Sequence, residues 1–551
     1  MKKFLLTAGI IFILIAVFSV QLKIDNDAGW GTGRIGLLAF GLIFVVLSII
    51  AHFFLKRISI FIEKVNTSFN NVVSRQTQII IISFIAAAII FPAYLWFIQL
   101  NQREAGREYE YYIELAKSFK GGKLHLEAAP PPELLALDNP YDYFLRRQEN
   151  IENFPWDVSL YEGKFYIYWG PVPAVLLTVF SKKALSNIGD FHLALFFAGG
   201  LFVYVTLITA SFWKQSLQHA PTWLLGVLLL VIGLATPATI MLKNAKIYEA
   251  AIFGCQFFFI GGCFWIYNSL QGKKPIRWKL FLGALHWALA VGTRVIILPA
   301  ALFCVGCTLI YVFQLFKNDS KSFLPLMSAI SMPVICMGLC LAWYNWARFD
   351  SIFEFGLTYQ LANIDYTNFQ NIFSIARVSQ NIDLYFAHPI KIFPRFPYLT
   401  RIEYLNSNDR LAGLIYVAPY FLLVIFPLLQ LIKNLFSFKT TFLNVTAENW
   451  LFHVLIGSGL ISLLIILSYY FIAMRFLEDF MPALLTATTI QIGKGYDFFK
   501  EKKVINIALI FITVTLAIIT LLANFLLAIP AEGIDFAVNL LNSISKLIGL
   551  K

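Results

Sequence analysis

The chain has 551 residues, of which 59% are hydrophobic and only 13% charged, and its mean hydropathy is +0.72. Soluble globular domains carry roughly a quarter charged residues, so water is excluded as the main solvent. A net charge of +12 would suit a nucleic-acid binder, but the cations sit in short loops between apolar runs, where the positive-inside bias places them, and no nucleic-acid partner is expected.

Thirteen apolar windows are candidate spans of the roughly 30 Å hydrocarbon layer, in which a helix satisfies its own backbone hydrogen bonds. They fall at 4–20, 35–55, 79–99, 191–212, 222–241, 250–268, 280–293, 295–316, 324–345, 413–432, 449–473, 480–493 and 504–528. The first follows Lys2 and Lys3 as in a signal peptide, yet no small-x-small cleavage site comes after it, and a retained span is expected. Residues 1–78 form a two-span addition and 79–529 the main transmembrane domain. The tail 530–551 is amphipathic, with Phe536, Leu540, Leu541, Ile544 and Leu547 at helical spacing. The expected fold is an all-α polytopic membrane protein.

One further apolar stretch, 172–180, opens after Gly170 with Pro171 and Pro173 and ends before Lys182 and Lys183. It is too short to cross and reads as a helix on the membrane surface. Counting it as a span would invert every later loop. With it interfacial and the N-terminus cytoplasmic, the inner loops hold Lys56, Arg57, Lys64, Arg75, Lys273, Lys274, Arg277, Lys279, Lys494, Lys500, Lys502 and Lys503. The long polar segments 100–190 and 346–412 then lie outside.

All six cysteines fall inside apolar runs and read as small apolar residues. Cys304 and Cys307 form a C-x-x-C in mid-helix, and no metal site is assigned there. Five cations remain on the outer side against the bias: Lys243, Lys246, Arg294, Arg348 and Arg475. A lipid phosphate held at that surface would retain them. Helix-end snorkelling with local pairing, Lys246 to Glu249 and Arg475 to Asp479, is the other account. Arg294 has no acidic neighbour in sequence and resists that second account.

The first outer segment begins with acids at helical spacing, Glu104, Glu108, Glu110 and Glu114. A carboxylate facing phosphate-holding cations can deprotonate an acceptor hydroxyl as a lipid phosphate departs. A solvated juxtamembrane helix explains the same spacing. Farther on, Pro130, Pro131 and Pro132 stiffen the chain, Asp138, Asp142 and Asp157 are further acids, and Trp156, Tyr161, Tyr166, Tyr168 and Trp169 offer either a sugar-stacking surface or an interfacial belt.

The order of these features resembles the GT-C superfamily of membrane glycosyltransferases, which use polyprenyl-phosphate-linked sugars and include protein mannosyltransferases and aminoarabinose transferases. Glu108, Tyr109, Tyr112 and Ala116 match the family's acidic D-E-x-x-Y-x-x-x-A pattern, except that Glu108 has no acidic neighbour directly after it. The stretch 161–173, Gly292-Thr-Arg294, the turn 243–249 and the segments after Tyr344 and Arg475 are similar to further family features, over roughly 79–500. The resemblance implies an inverting glycosyltransferase at the outer face of a cytoplasmic membrane, with a polyprenyl-phosphate-sugar donor, a glycan, lipid or protein acceptor, surrounding membrane lipids and no cofactor. Glu108 would be its base, with Glu104 and Asp157 as rivals. Lys243, Lys246, Arg294 and Arg475 would hold the donor phosphate, and Tyr112, Trp156, Tyr161, Tyr168, Trp169 and Arg348 would contact substrate. A transporter or flippase of lipid-linked sugars, or a catalytically silent envelope-assembly protein, are the alternatives. Transporters tend to show internal repeats and mid-membrane ionisable residues, and the chain has no repeat.

Overall fold

The computed structural model describes residues 2–19, 73–101, 109–151, 153–235, 237–272, 274–316, 320–363, 366, 372–394, 398–403, 410–436 and 446–529, with isolated positions between 34 and 45. The expected span 35–55, most of the basic loop that follows it, and the tail 530–551 therefore lie almost wholly outside the described residues. Contacts divide the chain into two compact units, Met1–Gln78 with Gly495–Ile512, and Ile79–Lys494 with Thr513–Lys551.

In the first unit, helix α1 (Lys2–Val17) ends on carbonyls that Arg34 satisfies, its Nε donating to Ala16 O at 3.1 Å and its Nη2 to Val17 O at 3.4 Å. The last carbonyls of a helix lack intrahelical donors, and a buried guanidinium supplies them.

The second unit takes in most of α2 (Arg75–Asn101), then α3 (Tyr111–Lys120), strands β1 (Ser159–Tyr161) and β2 (Lys164–Tyr166), and the short helices α4 (Val172–Leu177) and α5 (Lys182–Leu185). There follow α6 (Asp190–Ser216), α7 (Thr222–Leu234), α8 (Ala238–Lys243), α9 (Ile247–Leu270), α10 (Arg277–Thr293), α11 (Leu298–Phe316) and α12 (Ser320–Phe349). The three-stranded sheet β3 (Ile390–Ile392), β4 (Leu399–Glu403), β5 (Arg410–Leu411) is antiparallel. After it come α13 (Ile425–Phe436), α14 (Ala447–Ser468), most of α15 (Met481–Phe498) and, from Thr513, the later part of α16 (Lys503–Ala528).

Seven helices among the described residues are long and apolar enough to cross a membrane: Arg75–Gln99, Asp190–Ser216, Ile247–Leu270, Val295–Phe316, Phe323–Phe349, Ala447–Ser468 and Lys503–Ala528. The chain is a multi-pass helical membrane protein. Several expected spans take another form. The window 222–241 is not one helix: α7 stops at Leu234 and α8 starts after Pro237, whose ring removes a backbone donor. The window 413–432 is a helical turn Leu414–Val417, a 3-10 segment Pro419–Val424 and then α13. Pro419 again marks the break. The run 449–473 ends as helix at Ser468, and the remainder leads into a 3-10 turn, Met474–Asp479. Helix α4 has six residues, about 9 Å at 1.5 Å per residue, and cannot cross.

Helix α9 is the centre of this unit and packs on α6, α10, α14 and the Met474–Asp479 turn. Its side chains are buried along most of its length. Small residues set its distance to α10: a Cβ at Gly262 would stand 2.9 Å from Gly283 O, and one at Gly283 would stand 3.0 Å from Gly262 O. Close backbone approach of this kind is how helices associate where lipid offers no hydrophobic contrast. The buried Trp287 closes the seam by donating from Nε1 to Phe259 O at 3.1 Å. All six cysteines are unpaired thiols, with Cys336 and Cys340 exposed on α12.

Candidate functional site

Strands β1 and β2 form a two-residue hairpin in which Glu162 and Gly163 have φ of 46° and 67°. Two successive positive φ values give the turn that matches strand twist. The hairpin is fastened on two sides. Leu160 N donates to Tyr359 O and Leu361 N to Val158 O, at 2.9 and 2.8 Å. Beyond β2, Gly170 N donates to Thr293 O at 3.1 Å, and a Cβ on Gly170 would fall 2.1 Å from Gly292 O. Only glycine permits that approach, which sets 156–170 against the C-terminal end of α10, where Arg294 begins.

Asp157 precedes β1 with φ of 58°, a left-handed conformation that aspartate tolerates better than most residues. Its Oδ2 accepts a hydrogen bond from the Tyr248 hydroxyl on the first turn of α9. Burial raises the Asp157 pKa above its ordinary value, against the opposing pull of Tyr248, Gln360 and Arg475, all of which favour the carboxylate. On the Tyr248 ring sits Arg475, its Cζ 4.7 Å from the centroid. Tyr248 thus carries an acid at its hydroxyl and a cation at its face.

Arg475 belongs to the Met474–Asp479 turn, and its guanidinium also lies 5.4 Å from the Phe476 ring and 5.6 Å from Phe471. Arg294 lies 5.4 Å from the same Phe476 ring and is ion-paired with Asp479. Asp479 is buried, and burial raises its pKa while Arg294 and Arg475 lower it. Its backbone carbonyl accepts Gln256 Nε2 at 3.0 Å, and its Oδ2 has no hydrogen-bond partner among the described residues. Glu249, also buried, receives Lys246 N at 3.0 Å and interacts electrostatically with Arg475. Three acids and two arginines, from α9, the α10 end, the hairpin entry and the 474–479 turn, therefore form one cluster.

Aromatic rings wall it. Tyr168 stacks on Trp169 at 4.1 Å, and Trp169 meets Tyr248 and Tyr111 edge-on at 5.3 and 5.5 Å. The Tyr366 and Tyr470 hydroxyls bond to each other, and Tyr469 packs on Phe476 at 5.6 Å. Burial pushes the hydroxyls of Tyr168, Tyr366, Tyr469 and Tyr470 up, so they stay neutral within electrostatic reach of Asp157.

Of the residues singled out in the sequence, Asp157, Arg294, Arg475, Tyr168 and Trp169 meet in this cluster. Lys243 ends α8, half-buried, and Lys246 is exposed directly before α9. Trp156 keeps its ring 52% exposed and accepts the Tyr111 hydroxyl on its carbonyl at 2.5 Å. Tyr161 faces elsewhere, donating to Asp350 Oδ2 at 3.2 Å and packing on Tyr359 and Phe349. Arg348 is buried and engaged: Nη1 donates to Ile167 O at 2.8 Å, Nη2 to Asn345 Oδ1 at 2.9 Å, and the guanidinium lies over Tyr344. Those contacts make it a clamp on the strand leaving the hairpin. Tyr112 is fully buried, with its hydroxyl unbonded among the described residues. Glu104 and Glu108 lie outside the described residues.

The described acid nearest to them is Glu110, which forms a crossed pair with Asp190. Asp190 N donates to Glu110 Oε2 at 2.5 Å, and Tyr112 N donates to Asp190 Oδ1 at 3.2 Å. Each carboxylate caps the start of the other's helix, α3 or α6, where free N–H groups and the helix dipole favour a negative charge.

Sequence reasoning missed Tyr248, Gln360, Asp479 as the partner of Arg294, and the Tyr366, Tyr469 and Tyr470 wall. The expected pairing of Arg475 with Asp479 is the visible signal for Asp479, and Arg475 does act electrostatically on that carboxylate; the Met474–Asp479 turn brings Asp479 an ion pair with Arg294 at the α10 end as well. No group of three His, Cys, Asp or Glu side chains suited to a metal ion occurs among the described residues. No family model, no curated protein and no solved structure matches the chain.

Proposed function

We propose that the chain is an inverting membrane glycosyltransferase of the GT-C kind, with thirteen spans and its cluster at the outer face of a cytoplasmic membrane. It moves a sugar from a polyprenyl-phosphate donor to a hydroxyl of a glycan, lipid or protein acceptor. The observation that supports this reading best is Tyr248 with Asp157 hydrogen-bonded at its hydroxyl and Arg475 over its ring, and with Arg294 near the Phe476 ring that Arg475 also approaches.

Asp157 is the base in this reading. Its carboxylate takes the proton of the acceptor hydroxyl as that oxygen attacks the anomeric carbon. The bond from that carbon to the phosphate oxygen breaks, and its electron pair leaves on the phosphate. Arg475 and Arg294 stabilise the departing charge, which needs electrostatics more than a proton donor. Attack from the face opposite the phosphate inverts the anomeric centre, and Tyr168 and Trp169 stack on the sugar. Glu104 and Glu108 are then juxtamembrane acids that need not touch substrate.

The transporter alternative draws on Glu478, a buried carboxyl that lines a cavity with Tyr94, Phe202 and Phe253. That cavity is about 10 Å³, room for one water. A lipid-linked sugar does not fit that cavity, and the preference for the transferase reading rests on the Asp157 cluster rather than on it.

The test is release of polyprenyl phosphate by the reconstituted full chain from a panel of polyprenyl-phosphate-linked hexoses and aminosugars. Asp157→Asn is expected to lower the rate by about 100-fold or more. Full rates in both Asp157→Asn and Arg475→Ala would remove the proposal, and movement of the lipid across sealed vesicles without cleavage would favour transport.

A further inference from the structure

Between Val172 and Ile188 the chain carries two lysines and no acid. Helix α4 buries Val172, Pro173, Ala174 and Leu177 against its neighbours. On the other side, Val175 is 51% exposed, Leu176 43%, Val179 81% and Phe180 45%. These four are spaced i, i+1, i+4, i+5 over α4 and the turn after it, so they make one stripe. An apolar stripe on a helix too short to cross fits the boundary between headgroups and acyl chains.

Cations gather at one end of that stripe. Lys182 and Lys183 are exposed on α5, directly after Phe180. A third arrives from α3, which packs on both α4 and α5. Lys120 Nζ donates to Thr178 O at 2.7 Å, which fixes its ammonium beside Val179. The neighbouring lysines are neutralised, Lys117 by Glu114 at 2.7 Å and Lys123 by Glu127 at 3.7 Å. Among the described residues no carboxylate pairs with Lys120, Lys182 or Lys183. Three uncompensated cations from two chain segments, the end of α3 and the start of α5, at one end of an apolar stripe are the charge complement of an anionic lipid surface.

We propose that this face is a docking surface for anionic phospholipid, with Val175, Leu176, Val179 and Phe180 among the acyl chains and Lys120, Lys182 and Lys183 on the lipid phosphates. The bound lipid holds α3 and α4, the elements that carry Tyr111 and follow Gly170, against the membrane. This surface is distinct from the Asp157 cluster and stands whether or not the chain transfers sugar.

The test is native mass spectrometry of the purified full chain titrated with phosphatidylglycerol and with phosphatidylcholine. The wild-type chain is expected to retain phosphatidylglycerol preferentially. Lysines near an anionic surface are worth about fivefold each, so Lys120→Gln/Lys182→Gln/Lys183→Gln is expected to lose that preference by tenfold or more. Its phosphatidylcholine adducts should be unchanged. Lys182→Gln/Lys183→Gln leaves the Lys120 bond to Thr178 intact and tests the same surface should the triple variant fail to assemble. Equal retention of the two lipids by the wild-type chain, or an undiminished preference in the variants, overturns the proposal.

Discussion

Arg294 and Asp479 are 185 positions apart in the chain and form an ion pair between the end of α10 and the Met474–Asp479 turn. Removing Asp479 leaves the Arg294 charge buried without its ion-pair partner, and removing Arg294 leaves Asp479 with Arg475 as its remaining cation; breaking a buried pair costs up to about 3–5 kcal/mol. Arg294→Ala and Asp479→Ala are therefore each expected to lower the midpoint of thermal unfolding by several degrees in detergent. The double Arg294→Met/Asp479→Leu is expected to recover much of that loss. If the single and double variants lose stability additively, the two side chains do not act as a pair.

Asp157 is half-buried with its pKa raised, so the folded protein binds its proton more tightly than the unfolded chain does. A group of this kind costs no stability below the ordinary carboxylate value. It costs progressively more as the pH rises from there through the folded pKa, and the cost is constant above it. Asp157→Asn is thus expected to raise the unfolding midpoint at neutral pH, and the gain should vanish in acid. A variant that is more stable yet inactive would be the signature of a site that trades stability for chemistry. An equal gain over the wild type at neutral and acid pH would remove the argument.

Tyr248 donates to the ionised form of Asp157, so Tyr248→Phe should raise the Asp157 pKa further. Under the base reading the transfer rate falls as pH drops through that pKa. The acid limb is expected to move to higher pH in Tyr248→Phe, with the plateau rate changed less than the limb position. A limb that stays in place would show that the hydroxyl does not set the charge of Asp157.

How far the fold was legible follows from the physics of each element. Long apolar runs announce themselves, since a helix in lipid must be continuous and apolar, and α6, α9, α11 and α16 lie where hydropathy puts them. The broken segments around Pro237 and Pro419 were hidden inside apolar windows, because hydropathy averages over a proline that ends a helix. For the cluster, sequence picks out Arg294 and Arg475 as cations stranded at helix ends, and Asp157 only as a rival to Glu108, which lies outside the described residues. It does not reveal Tyr248 as their link, or Asp479 as the partner of Arg294, because both relations cross between distant segments. The acceptors of Arg348, Ile167 O and Asn345 Oδ1, are likewise visible only once the hairpin is folded.

Gly170→Ala is expected to fail in assembly or lose activity, because its Cβ would sit 2.1 Å from the Gly292 carbonyl and neither backbone has room to yield. Gly163→Ala is the control. Its φ of +67° carries a strain of about 1 kcal/mol, but the added methyl meets open space. Comparing yield of monodisperse protein for the two variants separates a steric contact from a turn preference. Similar yields would mean that the hairpin can stand off from α10.

Arg348→Lys keeps the charge and loses the planar fork that reaches Ile167 O and Asn345 Oδ1 together. A loss of about 2 kcal/mol in stability is expected, read as a lower unfolding midpoint, and under the proposed transferase reading KM for donor lipid stays unchanged. A raised KM at unchanged stability would return Arg348 to the substrate-binding set.

The crossed bonds of Glu110 and Asp190 make the first turns of α3 and α6 depend on each other. Neither helix can fray at its start without stripping the cap from its neighbour. The amide hydrogens of Tyr112 and Asp190 would accordingly trade for deuterium in a single cooperative opening, so the two helices begin to come apart as one piece.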